Sequence, residues 1–275
     1  NPAAGEKEAK YVFYFIGDGM GLAQSSIAEA YLADARGDIG FEKLSFSTFP
    51  VQSYSSTYAQ TRLITGSAAA GTALATGHKT SIGTISMDAE HENAYQSIAE
   101  KARDNGLKIG IITSVDIEHA TPAVFYAHVE KRNDYYTIGK SLAESDFSFF
   151  GGGGFRYPDG RNRAKDTNLL AYASENGYKV VNDKQGFLAL KSGDDKVLAI
   201  NAELDSESAM PFAIDRSEGE LSLADYTAKA IELLDNENGF FIMVEGGKID
   251  WSCHANDLAT TIHEVIDFDA AVKKA

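Results

Sequence analysis

Four short clusters in this chain hold the residue types that do chemistry, and the densest lies between residues 240 and 254. It reads Phe-Phe-Ile-Met-Val-Glu-Gly-Gly-Lys-Ile-Asp-Trp-Ser-Cys-His: an apolar run ending at Glu245, two glycines, then Asp250 and His254 four positions apart. On a helix, residues i and i+4 share a face, so the Asp250 carboxylate and the His254 imidazole can reach one ion. Glu245, at the mouth of the preceding strand, is placed to face a second ion. Carboxylate oxygens suit magnesium, and mixed Asp/His ligation suits zinc. The same letters also describe a strand followed by a solvated helix start with an Asp cap.

The other clusters follow the same logic. Gly17-Asp18-Gly19-Met20-Gly21 follows an apolar run at 11–16, so a buried strand delivers one carboxylate between glycines that let the backbone turn tightly. Asp18 can bridge two cations there, or cap a strand-to-helix turn. The Gly-x-Gly-x-x-Gly spacing of a dinucleotide site is absent. In Thr65-Gly66-Ser67, followed by small residues through Ala75 and by Gly77, the pattern predicts a closely packed helix with Gly77 as its C-terminal cap. Ser67 then stands at a helix N-terminus, where free N–H groups favour an anion, although Ser is also a common plain cap. In His119-Ala120-Thr121-Pro122-Ala123, Pro122 suits a first helical position and the Thr121 hydroxyl suits magnesium. Arg132, downstream, offers a planar fork matched to two phosphate oxygens.

Elements able to position these groups are visible as well. Apolar runs suited to buried strands occur at 11–16, 108–113, 147–150, 197–200 and 240–244. Helical periods lie at 25–33, 98–105, 136–143, 168–175, 222–234 and 260–274. Continuous apolar strands alternating with helices predict an α/β fold with a mostly parallel central sheet sandwiched by helices. The chain reads as one domain over 1–275, with a Gly-, Asp- and Asn-rich loose insertion at about 151–219. In open parallel sheets ligands bind beyond the carboxyl ends of the strands, which is where Asp18 and Glu245 fall.

Composition narrows the classes. The 275 residues carry 25 Lys and Arg against 40 Asp and Glu, a formal charge of −15. So acidic a chain, without a basic cluster, argues against nucleic acid and anionic membranes as partners. No stretch approaches the roughly 20 apolar residues of a membrane span. The single Cys253 rules out an intrachain disulfide and leaves the redox compartment open. The chain begins Asn-Pro-Ala-Ala-Gly without Met, as after removal of an upstream segment, naturally or by cloning; a processed secretory signal fits, and with it a periplasmic or secreted location.

Taken together and in order, Gly17-Asp18-Gly19, Thr65-Gly66-Ser67-Ala68-Ala69, His119-Ala120-Thr121-Pro122-Ala123 with Arg132, and Glu245-Gly246-Gly247-Lys248-Ile249-Asp250 with His254 resemble the alkaline phosphatase family. The resemblance implies hydrolysis of phosphate monoesters through a covalent phosphoserine, with two zinc ions, one magnesium ion and release of inorganic phosphate. It implies Ser67 as nucleophile and Arg132 as clamp on the phosphate oxygens. Asp18 would bridge one zinc, also bound by Ser67, and the magnesium, whose ligands Thr121 and Glu245 complete; Asp250 and His254 would hold the other zinc. A homodimer is a further expectation from the family.

Departures from the family pattern carry their own expectations. Gly66 stands where relatives usually have an Asp that orients the arginine, so Arg132 is expected to be more loosely held. His119 and Trp251 occupy positions that vary among relatives and stand behind the ligands, which predicts altered preference at the third metal. The family's later Asp-His pair and final His have no counterpart after His254, and His263 reads as a helix-surface residue. By resemblance, then, this stretch is an N-terminal portion of a longer protein, with the C-terminal part missing and activity low or absent when alone. Two other readings remain: a phosphate- or metal-binding protein without turnover, and a related phosphodiesterase or sulfatase.

Overall fold

The apolar runs do become strands, and they pair in one direction. A computed structural model describes residues 9–160 and 166–275; the start at residues 1–5 and a few positions of the 151–219 stretch lie outside them. Along the chain come β1 (Tyr11–Gly17), α1 (Leu22–Asp34), α2 (Ser67–Thr76), α3 (Ile98–Asp104), β2 (Lys108–Thr113), α4 (Ala120–Ala123) and α5 (Tyr135–Glu144). There follow β3 (Phe149–Gly152), α6 (Leu169–Glu175), β4 (Lys179–Val181), α7 (Lys184–Ala189), β5 (Val197–Ile200), α8 (Leu223–Leu234), β6 (Phe240–Gly246), α9 (Lys248–His254) and α10 (Leu258–Lys274). The strands form a six-stranded sheet in the order β1-β6-β2-β3-β5-β4, with every pairing parallel.

Both faces of the sheet are buried, which is why its strands read as unbroken apolar runs rather than alternating ones. Ile109, Ile111, Phe150, Phe241 and Met243 face one side, against α3, α4, α5 and α6. Ile112, Phe149, Ile242 and Val244, one residue out of phase, face the other side against α1, α8 and α10. Each such side chain taken from water contributes about 2 kcal/mol.

The 151–219 stretch, expected as a loose insertion, carries α6, β4, α7 and β5 and builds one edge of the sheet through the β3–β5 and β5–β4 pairings. The third strand begins two residues later than the apolar run predicts. Phe147 is buried before the ladder starts, and the ladder runs on through Gly151 and Gly152, opposite Ile112 and Thr113. Glycine is required there: Gly152 has φ +115°, and a Cβ on it would lie 1.9 Å from the Thr113 carbonyl oxygen. No helix among the described residues is long and apolar enough to cross a membrane.

The register determines what meets at the carboxyl edge. Ile16 of β1 lies opposite Glu245 of β6, and Glu245 lies opposite Thr113 of β2. Asp18 therefore leaves β1 beside the residue that ends β6, its N–H donating to the Gly246 carbonyl at 3.3 Å.

Gly152→Ala tests how rigid the β2–β3 approach is. The variant is expected to lose about 3 kcal/mol, because backbone rather than a flexible side chain must move. Urea unfolding would show a lowered midpoint at unchanged slope.

Candidate active site

The predicted residues converge on one cleft of about 750 Å3, whose lining includes Asp18, Ser67, His119, Thr121, Arg132, Asp250, Trp251 and His254. Its floor is the carboxyl edge of β1, β6 and β2. Glu245 lies just beneath it, fully buried, taking a hydrogen bond from the Thr113 hydroxyl at 2.5 Å. His263 is elsewhere, on α10, its ring against Tyr31 at 5.7 Å between centroids.

Ser67 is the first residue of α2, behind a Gly66 in extended conformation, and Gly77 closes the helix with φ 79°. The small residues of α2 bring it close to α4; a Cβ on Gly71 would meet Val124 at 3.2 Å. The first ladder bond of α2 runs from the Ala70 N–H to the Gly66 carbonyl, so the N–H groups before it point toward the cleft without helical partners. The Ser67 hydroxyl donates to Asp18 Oδ2 at 2.9 Å.

Gly19 follows with φ +64°, and the space a side chain would occupy there is taken by Asp250, whose Oδ1 lies 2.6 Å from the position of a Cβ. α9 thereby brings a second carboxylate toward Asp18. On α9, His254 Nε2 stands 3.5 Å from Asp250 Oδ2, one turn apart as the spacing predicts, with the imidazole largely exposed at the rim.

Arg132 reaches the cleft from the loop after α4 and is held by His119: its Nη2 donates to His119 Nε2 at 2.7 Å. The expectation of a loose arginine is thus modified. Beside Gly66 the space is open, with nothing within 4 Å of a Cβ, and the support comes instead from the imidazole. Trp251 packs edge-on against that ring, at 6.1 Å and 73°. Burial, then the charges of Arg132 and Arg156, lower the His119 pKa to about 3, so the ring is neutral. Its Nε2 accepts from Arg132, which leaves the proton on Nδ1, a buried atom with no partner.

The carboxylates carry the electrostatic strain of the site. Burial, then the Asp250 charge, raises the Asp18 pKa to about 6, with Ser67 and Arg132 pulling it back. Burial, then the Asp18 charge, raises that of Glu245 to about 8, and Glu245 Oε1 is buried without a partner. Two buried acids, each held above its ordinary value by burial and by a neighbouring carboxylate, with one Glu245 oxygen left unpartnered, are what a cation site calls for. The donor set agrees: Asp18, His119 and Glu245 each offer a ligand atom, all within 4.8 Å of one another. Thr121, with its hydroxyl beside the Glu245 carboxylate, adds oxygen to that set. His119 joins it only by releasing Arg132, because a neutral imidazole has one lone pair. Among the described residues, no further His, Cys, Asp or Glu completes a group of three with Asp250 and His254.

Sequence reasoning did not reach several neighbours. Asp116 and Glu118, on the loop that leaves β2, are fully buried; Glu118 Oε1 takes the Arg156 N–H at 2.6 Å. Their acid-x-acid spacing just past an apolar strand was the available signal. Lys248 is also fully buried, donating to Asp205 Oδ2 at 2.7 Å and to the Met210 carbonyl at 2.6 Å. It ties the first turn of α9 to the loop after β5, and its position inside the 245–250 cluster marked it.

Comparison with known proteins agrees with this geometry. The family model for alkaline phosphatase matches residues 9–275. Alkaline phosphatase 3 of Bacillus subtilis (strain 168) is 33% identical over 280 residues, which cover 98% of this chain and 58% of that protein. The cold-active alkaline phosphatase of the psychrophile Shewanella sp. superposes with a TM-score of 0.85 at 31% identity, over 96% of this chain and 63% of its own. A mutant of the TAB5 alkaline phosphatase, described with Mg bound in the M3 site, superposes with a TM-score of 0.81 at 32% identity, over 96% of this chain and 72% of its own. The chain thus spans a little over half the length of the Bacillus relative. With the motifs gathered in one cleft and the family match running from residue 9 to 275, the chain belongs to the alkaline phosphatase family.

Proposed function

We propose that this cleft hydrolyses phosphate monoesters through a covalent phosphoserine on Ser67. The observation that carries the reading is the Ser67 hydroxyl, held 2.9 Å from Asp18 at the N-terminus of α2 in the cleft that Arg132 also lines. The bond to Asp18 Oδ2 fixes the hydroxyl, so an Oγ lone pair faces the cleft. Ser67 Oγ attacks phosphorus, the ester P–O bond breaks, and the alcohol leaves. Water then attacks the phosphoserine, releasing inorganic phosphate and restoring Ser67. In both steps negative charge spreads over the non-bridging oxygens, so catalysis is largely positioning and countercharge. Arg132 supplies a planar fork to those oxygens, and the free N–H groups of α2 point at the same region.

Magnesium would be held by Asp18, Thr121 and Glu245, and the two zinc ions by Asp18 with Ser67 and by Asp250 with His254. When bound, such ions supply positive charge that favours the serine alkoxide and the leaving oxygen.

Two outcomes are expected. First, in the chain carried on to the full length of its relatives, with zinc and magnesium at alkaline pH, Ser67→Ala should lower turnover of p-nitrophenyl phosphate by about 10³-fold or more, as loss of a nucleophile does. Acid-quenched protein incubated with labelled phosphate should carry the label on Ser67. A protein that binds phosphate but never acquires label would be a binding protein without turnover.

Second, stability should depend on pH in a direction set by the buried acids. Asp18 and Glu245 hold protons more tightly folded than unfolded, so their stabilising effect is full below their ordinary values near pH 4. It is lost as pH rises through about 6 for Asp18 and about 8 for Glu245. In chelator, the melting temperature should therefore fall between pH 5 and pH 9, and Glu245→Gln should remove much of that fall, roughly 5 °C. Added magnesium should stabilise the parent more at pH 9 than at pH 5, a difference the variant loses. Equal melting shifts at both pH values would remove Glu245 from the cation site.

A further inference from the structure

A second cavity, of about 400 Å3, opens beside the Ser67 cleft and shares His119, Arg132 and Trp251 with it. Asn133, Tyr135, Arg156 and Glu207 line the rest of its wall. Arg156 has no part in the chemistry assigned above. Its guanidinium lies over the Tyr135 ring, 5.1 Å from the centroid, and its backbone is fixed by the buried Glu118.

The charge contacts of Arg156 all run through one nitrogen. Nη2 meets Glu207 Oε2 at 2.6 Å and, more distantly, Asp116 Oδ1 at 3.4 Å. Nε is buried without a partner, and Nη1 makes no hydrogen bond among the described residues. A guanidinium offers five donors in a planar fork, so most of this one's capacity is unengaged. Its two carboxylates also differ. Asp116 is fully buried and fixed, whereas the Glu207 side chain is 52% exposed and can turn into solvent. In a chain of net charge −15, this cavity wall carries two guanidiniums, Arg132 and Arg156, against the one lining carboxylate of Glu207.

We infer that this cavity receives the leaving group of the phosphate ester, and that Arg156 recognises a second anionic group on it, a carboxylate or a further phosphate, which displaces Glu207. The inference rests on the phosphomonoesterase reading and names the substrate class: monoesters of acidic alcohols. Arg132 takes the group being transferred, Tyr135 and Trp251 flank the organic part, and Arg156 takes the remote charge in a bidentate contact.

Calorimetric binding of non-hydrolysed ligands tests this without requiring turnover. Phenylphosphonate, 4-carboxyphenylphosphonate and 1,4-phenylenebisphosphonate would be titrated into the zinc- and magnesium-loaded protein. The two ligands that bear a second anionic group are expected to bind about tenfold more tightly than phenylphosphonate; a gain for only one of them identifies the second group as carboxylate or phosphate. In Arg156→Met that ratio should collapse to about one. In Glu207→Gln, a change at an exposed side chain, it should rise about threefold because the competing carboxylate is gone. Equal binding of all three ligands, or a ratio unmoved by Glu207→Gln, overturns the inference and leaves the Ser67 reading standing. Failure of phenylphosphonate itself to bind overturns both.

Discussion

Glu245 sits between Ile16 and Thr113 in three adjacent parallel strands, and the rest of the cleft depends on that register. Side chains alternate along a strand, so a slip of one residue in β6 would turn Glu245 out of the edge and put an apolar neighbour in its place. The register is held by packing on both faces, since Phe241 and Met243 fill one core while Ile242 and Val244 fill the other. Such a double constraint leaves β6 a single acceptable setting. Asp18 and the loop leading to His119 and Thr121 are then carried to the same edge by their own strands.

What the register brings together, electrostatics resists. Asp18 and Glu245 lie where water is largely excluded, and the Asp250 charge raises the cost of ionising Asp18 as the Asp18 charge does for Glu245. The fold tolerates this because local partners offset part of the cost: Ser67 and Arg132 at Asp18, Thr113 at Glu245. Nearby, Lys248 shows the same compensation in a different form. A fully buried ammonium is satisfied by Asp205 and a carbonyl, and lies 3.7 Å from the centre of the Phe212 ring. These arrangements cost stability at a place where the surrounding sheet is rigid.

Much of the fold is legible in the amino-acid order alone. β1, β2, β5 and β6 follow from apolar runs, and the long helices from their period, because burial on both faces leaves no polar interruptions. β4 is not legible: Lys-Val-Val is too short to show a period, and its place in the sheet comes from pairing with β5. α7 holds Gly186 in its middle, and α4 is a single turn, so neither presents a helical pattern. At the site, the motif residues are legible because each cluster is local in sequence. The grip of His119 on Arg132 and the link from Glu118 to Arg156 are not, since they join residues 13 and 38 positions apart through loop geometry that no periodicity records.

The lone pair on His119 Nε2 makes two events mutually exclusive. While it accepts from Arg132, the imidazole cannot offer a lone pair to a cation, because its other nitrogen bears the proton. Thermodynamic linkage makes the exclusion reciprocal: a cation drawn to this ring loosens the arginine by the same factor by which the seated arginine weakens the cation. One ring nitrogen therefore places anion affinity and cation affinity in competition. Trp251, packed against the imidazole in a T-shaped contact, favours the ring orientation that serves the arginine.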